Sequence, residues 1–126
     1  MAARHIVGAR VLIVEDEYFL ADDARAALSA AGAEVLGPVG TVADARALIE
    51  ANAAIDWVLL DVNLRGEMAF EVGDLLRARG IPFAFVTGYD GAALPVRFSD
   101  TTVLSKPARP EQLITLFESV ATPDRG

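Results

Sequence analysis

Residues 10–17 read Arg-Val-Leu-Ile-Val-Glu-Asp-Glu, a short apolar run that ends abruptly in three acidic residues. Because the run is rich in β-branched side chains, it predicts a buried strand at 10–14. A strand that is apolar throughout is typical of a parallel sheet covered on both faces. The acidic residues would then lie at the carboxyl end of this strand, where open α/β sheets bind their ligands.

The rest of the chain alternates strands and helices in the same way. Further strands are predicted at 33–36, 56–61 and 81–86 and around Val103-Leu104, and helices at 18–31, 42–53, near 68–79 and at 111–120. Gly37-Pro38 is expected to close the second strand, and 62–67 is expected to be a loop. Thr41 followed by Asp44 resembles a capping box at the start of the second helix. This alternation predicts one α/β domain.

The stretch 88–101 departs from the alternation. A helix is expected at this point, but Gly91 and Pro95 favour a loop or one broken turn instead. The fourth helix of the fold is therefore predicted to be short or irregular.

Composition limits the range of functions. The 126 residues fit a single domain over 1–126, with a core at about 9–122. There is no cysteine, so disulfides and thiolate chemistry are excluded, which is compatible with a cytoplasmic protein. The net charge of -7 argues against binding of nucleic acid, and no apolar run is long enough for a signal peptide or a membrane span.

Polar residues follow four of the predicted strands. They are Glu15 and Asp16, Asp61 with Asn63, Thr87-Gly88, and Ser105-Lys106-Pro107. Because the carboxyl ends of parallel strands share one edge of the sheet, we expect these residues to lie close together. Lys106 is the only lysine of the chain, although ten arginines are present, which favours a specific role for its compact charge.

Such a cluster needs a counter-ion. Two carboxylates about 4 Å apart repel each other by roughly 4 kcal/mol at an effective dielectric constant of 20. Oxygen ligands without thiols suit a hard cation such as Mg²⁺, which readily accepts a phosphate oxygen. Lys106 could bind a second phosphoryl oxygen, and Thr87 could donate a hydrogen bond. Asp61 is then the natural nucleophile, because carboxylates form aspartyl phosphates.

Four segments together resemble the receiver domain of two-component response regulators, over essentially the whole chain. They are VLIVEDE at 11–17, LLDVNL at 59–64, FVTG at 85–88 and LSKP at 104–107. The resemblance implies a flavodoxin-like (βα)5 fold, a doubly wound parallel sheet of five strands in the order 2-1-3-4-5. It also implies a signalling switch and not an enzyme in the usual sense, with at most Mg²⁺-dependent self-phosphorylation and autodephosphorylation.

The same resemblance implies roles for the clustered residues. Asp61 would be the phosphoacceptor, and Glu15, Asp16 and Asp61 would hold Mg²⁺ or Mn²⁺ together with the backbone carbonyl of Asn63. The phosphoryl donor would be a histidine kinase or a histidine phosphotransfer protein.

The resemblance also implies a switch and a route for output. Thr87, Gly88 and Lys106 would bind the phosphoryl group and shift the face formed by 87–107. Output would pass to a downstream effector protein or to a further phosphotransfer partner. Dimerisation through the 88–120 face is an option that the sequence leaves open.

Two features depart from the usual receiver pattern. The position two residues before the lysine, commonly aromatic, is Leu104. The run PFAFVTGYD at 82–90 resembles a variant subfamily with a Phe-x-Thr-Gly-Tyr-like motif, in which the segment after the threonine is a loop. Tyr89, Leu104 and Pro107 are therefore the candidate signalling positions, with Tyr89 in place of the missing aromatic residue.

Simpler interpretations remain beside these. The acids could serve as a strand cap and as helix N-terminal charges, the latter best suited to Glu17. Thr87 could be a turn residue, and Asn63 could serve the loop alone, with a side chain that need not bind a metal. Trp57 is assigned to packing, His5 has no role, and the arginines are assigned to solvated surface. At the level of function, the alternatives are a docking module that works without phosphorylation and a phosphohydrolase. The phosphohydrolase is disfavoured because Asn63 occupies the position where a general acid is needed.

Overall fold

The structure is a computed structural model, and it describes residues 5–52, 54–88 and 94–119. The strands are β1 (Arg10–Val14), β2 (Glu34–Val39), β3 (Trp57–Asp61), β4 (Asn63–Leu64), β5 (Glu67–Met68), β6 (Phe83–Thr87) and β7 (Val103–Ser105). The helices are α1 (Tyr18–Ala30), α2 (Val42–Ala51), α3 (Phe70–Ala78) and α4 (Pro110–Ser119), with a single 3₁₀ turn at Val96–Phe98.

Five strands form one parallel sheet in the order β2-β1-β3-β6-β7. Counted as the five strands of this sheet, the order is the predicted 2-1-3-4-5, so the flavodoxin-like fold is confirmed. β3 is buried at every residue, whereas β2 at the edge is partly or fully exposed throughout. This difference explains why the second strand has the weaker apolar pattern.

Helices cover both faces of the sheet. Since successive strand residues point to opposite faces, Leu60 packs in the core that includes α2 and α3, and Leu59 in the core with α1 and α4. Trp57 lies in the second core, with its ring centroid 5.5 Å from that of Phe117 on α4. The assignment of Trp57 to packing is therefore confirmed.

The second strand does not close at Gly37-Pro38, as the sequence suggested, but continues to Val39. The register against β1 shifts between Leu12 and Val14, and Gly37 has φ 81°. A Cβ at Gly37 would lie 2.9 Å from the carbonyl oxygen of Ile13, so this irregular step requires glycine. The extension matters for the site, because Val39 accepts a hydrogen bond of 2.8 Å from the backbone N–H of Glu15.

The predicted loop at 62–67 also contains structure. β4 and β5 form a small antiparallel hairpin, joined by a two-residue turn at Arg65 and Gly66 with φ values of 55° and 87°. Two left-handed residues in succession are the signature of the tight hairpin turn that matches strand twist. The hairpin delays the third helix, which begins at Phe70 rather than near residue 68.

The segment before β7 contains no regular α-helix within residues 94–102, in agreement with the prediction, and has only the 3₁₀ turn. Its anchor is Phe98, which is fully buried and contacts the rings of Phe70, Phe83 and Phe85. The packing of this side chain holds the segment together with the i→i+3 backbone hydrogen bonds of the 3₁₀ turn, donated by the N–H groups of Phe98 and Ser99.

β1 has the predicted bounds, and the remaining helix and strand boundaries lie within two residues of the predicted ones, the usual uncertainty at element ends. The Thr41 hydroxyl caps α2 by accepting a hydrogen bond of 3.0 Å from the N–H of Asp44, as the sequence predicted. Within the described residues, every helix is too short or too polar to cross a membrane.

Candidate functional site

Three carboxylates meet at the carboxyl ends of β1 and β3. Val14 pairs with Leu60 in the parallel register. The next residue of each segment, Glu15 and Asp61, therefore lies beside the other at this edge of the sheet. Glu15, Asp16 and Asp61 each offer one carboxylate oxygen, and these three atoms lie within 4.8 Å of one another. Asp61 is only 3% exposed, while the other two acids are partly exposed at the mouth. The predicted convergence of the acids is confirmed.

Lys106 reaches this cluster from the far edge of the sheet. Its backbone N–H donates to the carbonyl of Thr87 at 2.8 Å, which continues the pairing of β6 with β7. Its Nζ then lies 2.7 Å from Oδ2 of Asp61 and 3.2 Å from Oε1 of Glu15. The only lysine of the chain is thus paired with the two innermost carboxylates.

The cluster carries more negative charge than one ammonium can neutralise. Burial, followed by a hydrogen bond with Asp61, raises the pKa of Glu15 to about 8. Burial lowers the pKa of Lys106, but the hydrogen bond to Asp61 and the charge of Glu15 outweigh it, so this pKa lies above its ordinary value. Lys106 therefore stays charged, and the carboxylates favour a further cation.

The β4–β5 hairpin orients the acids through backbone amides. The N–H of Arg65 donates to Oδ2 of Asp16 at 3.1 Å, and the N–H of Asn63 donates to Oδ1 of Asp61 at 3.2 Å. The side chain of Asn63 accepts from the N–H of Gly66 at 2.7 Å, so it is used within the turn. This contact agrees with the expectation that the Asn63 side chain need not bind a metal.

Thr87 and Gly88 form the opposite wall. Thr87 is 6% exposed at the end of β6, and its hydroxyl donates to the carbonyl of Gly88 at 3.1 Å. Both residues line a cavity of about 360 Å³ that also contains Asp61 and Lys106. A carboxylate, a hydroxyl and an ammonium therefore line one small cavity.

Two of the three candidate signalling positions, Leu104 and Pro107, are described and do not line this cavity. Leu104 is partly buried and packs against the core shared by α1 and α4. Pro107 lines a separate, largely apolar cavity together with Leu20 and Leu113. Tyr89 lies outside the described residues, so its role stays a prediction.

Two residues near the site were missed by the sequence analysis. Glu17 was assigned to the start of a helix, but its carboxylate lies 3.6 Å from Nζ of Lys106 and makes no capping hydrogen bond. Its position directly after the acidic pair was the available signal. Arg65 was assigned to the general surface, but it lines the site cavity. Recognition of Arg65-Gly66 as a hairpin turn would have placed Arg65 beside the site.

The donor set fits a hard divalent cation. Three carboxylates from two chain segments offer oxygen atoms within 4.8 Å, and among the described residues near them no sulfur or imidazole ligand competes. Oxygen-only ligands at partly exposed positions suit an ion that keeps several of its waters.

Comparison with known proteins gives the family. The fold is similar to the solution structure of SdrG from Sphingomonas melonis Fr1, with 37% identity, a TM-score of 0.78, and coverage of 93% of this chain and 100% of SdrG. The BeF3-activated conformation of SdrG, from Pseudomonas melonis Fr1, matches at 38% identity and a TM-score of 0.71. The match covers 87% of this chain and 93% of the SdrG chain.

A CheY-like response regulator receiver domain from Methylobacillus flagellatus is 24% identical, with a TM-score of 0.76. The match covers 89% of this chain and 98% of that domain, and at this identity it shows the fold alone. No protein-family model matches the sequence, and no curated protein matches it closely enough to count as a relative. At 37% identity to SdrG along nearly its whole length, with this fold, the chain belongs to the family of response regulator receiver (CheY-like) domains.

Proposed function

We propose that the protein is a response regulator that accepts a phosphoryl group on Asp61. The observation that carries this proposal is the ammonium of Lys106 at 2.7 Å from a buried aspartate that also borders two further carboxylates. The arrangement offers a nucleophile and a fixed positive charge in one cavity. Phosphoryl transfer depends on just such positioning and charge neutralisation.

In the proposed reaction an oxygen of Asp61 attacks the phosphorus atom of a phosphohistidine on the donor protein. A new P–O bond forms, the P–N bond breaks, and its electron pair stays on the imidazole nitrogen. Lys106 binds one phosphoryl oxygen. The Thr87 hydroxyl turns away from the Gly88 carbonyl and donates a hydrogen bond to a second phosphoryl oxygen. Mg²⁺ or Mn²⁺, held by Glu15, Asp16 and Asp61 with the Asn63 carbonyl, would supply further charge neutralisation.

The relative SdrG supports this proposal, since a BeF3-activated conformation of it is known. Beryllofluoride has the shape and charge of a phosphoryl group. We infer that the partners of the present chain are a histidine kinase or histidine phosphotransfer protein, located in the cytoplasm, and a downstream effector protein. Dimerisation through the 88–120 face stays a prediction.

The test is phosphate uptake from acetyl phosphate with Mg²⁺, followed by intact-mass spectrometry. The wild type should gain one phosphoryl group, and Asp61→Asn should gain none because the nucleophile is lost. The matched control is Asp74→Asn, which alters a carboxylate on α3 that pairs with Arg97, and it should leave uptake unchanged. Uptake by Asp61→Asn, or no uptake by the folded wild type, would refute the proposal.

Absence of uptake would favour the alternative, a docking module that works without phosphorylation. That module would not need the ion pair between Lys106 and Asp61, and replacement of Lys106 would leave its partner binding intact. The phosphohydrolase has less support, because the Asn63 amide cannot act as a general acid and is engaged in the hairpin turn. Steady turnover of a phosphomonoester would revive it.

A further inference from the structure

The first observation concerns the backbone at Arg65. This residue occupies the first position of the two-residue hairpin turn with φ 55°, and it is the only residue other than glycine with positive φ among the described residues. Glycine, asparagine and aspartate are preferred there because a side chain in this conformation crowds the following carbonyl. An arginine held in an unfavourable conformation beside a reaction site suggests that its side chain has a function.

The second observation is that the Arg65 guanidinium makes no ion pair with the described residues. Most basic side chains in the described ranges have a carboxylate within 4 Å: Arg10, Arg25, Arg46, Arg77, Arg97, Lys106 and Arg109. Arg79, which is exposed at the end of α3, also has no carboxylate within 4 Å among the described residues. Of these two, Arg65 lines the site cavity, and Arg79 does not.

The third observation is the charge of the cavity. Asp16, Glu17 and Asp61 line it, and the ammonium of Lys106 is already engaged by Asp61 and two glutamates. A doubly negative phosphodonor must therefore approach an acidic mouth on an acidic protein. Among the described residues that line the cavity, Arg65 is the cation without a carboxylate partner.

We propose that Arg65 recruits anionic phosphodonors to the site, and this inference rests on the proposed phosphorylation of Asp61. Its guanidinium attracts the phosphoryl group of a small acyl phosphate, which Lys106 then receives. During transfer Asp61 forms the new P–O bond, and the bond to the acyl oxygen breaks. The carboxylate leaves with the electron pair, so Arg65 exchanges no proton and acts by its charge.

The experiment compares Arg65→Gln, Arg65→Lys and the matched control Arg79→Gln, each with acetyl phosphate and Mg²⁺. At low ionic strength, Arg65→Gln should slow phosphorylation by roughly threefold to tenfold, and the difference should shrink near 1 M salt because screening removes the attraction. Arg65→Lys should keep most of the rate, and Arg79→Gln should match the wild type. Equal slowing by both glutamine variants, or slowing independent of salt, overturns the proposal.

Calorimetric titration with Mg²⁺ distinguishes loss of the Arg65 charge from disruption of the hairpin. The backbone N–H that binds Asp16 remains in Arg65→Gln, and one positive charge is removed, so Mg²⁺ should bind as tightly as in the wild type or more tightly. Weaker Mg²⁺ binding would mean that the substitution disrupts the hairpin, and the proposal would then be rejected. Arg65→Gly is a second variant, which should melt at the same or a higher temperature and still react slowly.

Failure of the proposed phosphorylation can be distinguished from failure of the role proposed for Arg65. If the wild type takes up no phosphoryl group, the affinity for beryllofluoride with Mg²⁺ decides the role of Arg65 independently. Weaker binding by Arg65→Gln than by Arg79→Gln then supports anion recruitment, and equal affinities contradict it. A wild type that binds no beryllofluoride overturns both proposals.

Discussion

The ammonium of Lys106 lies 2.7 Å from the carboxylate of Asp61, although 45 residues separate them in the chain. Their strands are not neighbours, because β6 lies between β3 and β7. Lys106 therefore reaches across the end of β6, where Thr87 and Gly88 form the wall of the cavity. Any group bound to Asp61 would meet both the lysine and the threonine.

Replacement of Lys106 by alanine should destabilise the protein by about 1–3 kcal/mol at neutral pH, because the carboxylates of Glu15 and Asp61 lose their shared counter-ion. Addition of Mg²⁺ should reduce this loss, since the cation neutralises the same carboxylates. Urea denaturation of both proteins with and without Mg²⁺ measures the effect. A loss of stability that Mg²⁺ leaves unchanged would contradict the assignment of the metal site.

Replacement of Asp16 by asparagine should weaken Mg²⁺ binding by about tenfold or more, because affinity depends on the number of charged ligands. The amide oxygen can still accept the hydrogen bond from the Arg65 N–H, so the hairpin should persist. Calorimetry gives the affinity. Asp44→Asn, at the start of α2, is the control of equal charge change and should bind Mg²⁺ like the wild type.

Thr87→Ala should uncouple phosphorylation from the conformational response. The hydroxyl is not the nucleophile, so uptake on Asp61 should persist, slowed by no more than about 10²–10³-fold, the cost of losing one hydrogen-bond donor to developing charge. The NMR shift changes on addition of beryllofluoride should be reduced around β6 and β7. Thr87→Ser keeps the hydroxyl and should restore them. Full shift changes in the alanine variant would exclude a switching role.

Phe98→Ala should destabilise the protein by about 3–5 kcal/mol, because a fully buried aromatic side chain is removed from the turn that replaces a fourth helix. Val96→Ala is the matched control in the same turn, and its side chain is 88% exposed. It should change stability by no more than about 0.5 kcal/mol. Thermal and urea unfolding provide the measurement, and similar effects of both substitutions would argue against Phe98 as the anchor.

Gly73→Ala should also destabilise the protein, although alanine is the better helix former by about 1 kcal/mol. A Cβ at this position would lie 3.0 Å from two atoms of the Phe98 ring. The ring cannot move aside easily, because the guanidinium groups of Arg77 and Arg97 lie 4.6 and 4.8 Å from its centroid. We expect a net loss of about 1–2 kcal/mol. A gain in stability would show that this contact is loose.

Most of the fold could be predicted because it depends on local patterns. Apolar runs such as 10–14 and 57–61 indicate buried strands wherever they occur, and Thr41 caps its helix through a contact three residues away. Two features escaped these patterns. The continuation of β2 past Gly37 depends on pairing with β1, and the hairpin at Arg65 is too short to show alternation.

The sequence by itself determined which chemical groups are available and at which strand ends they lie: the acids after β1, Asp61 after β3, Thr87 after β6 and the single lysine after β7. Only the tertiary structure decided the distances and charges between them, because sheet register and strand order set these. It brought the carboxylate of Glu17 to Lys106, raised the pKa of Glu15 through burial, and placed Arg65 among the residues that line the cavity. The residues that flank a side chain can place it at the end of a strand, but its distance from a side chain on another strand is set by the pairing of the strands, which exists only in the folded chain.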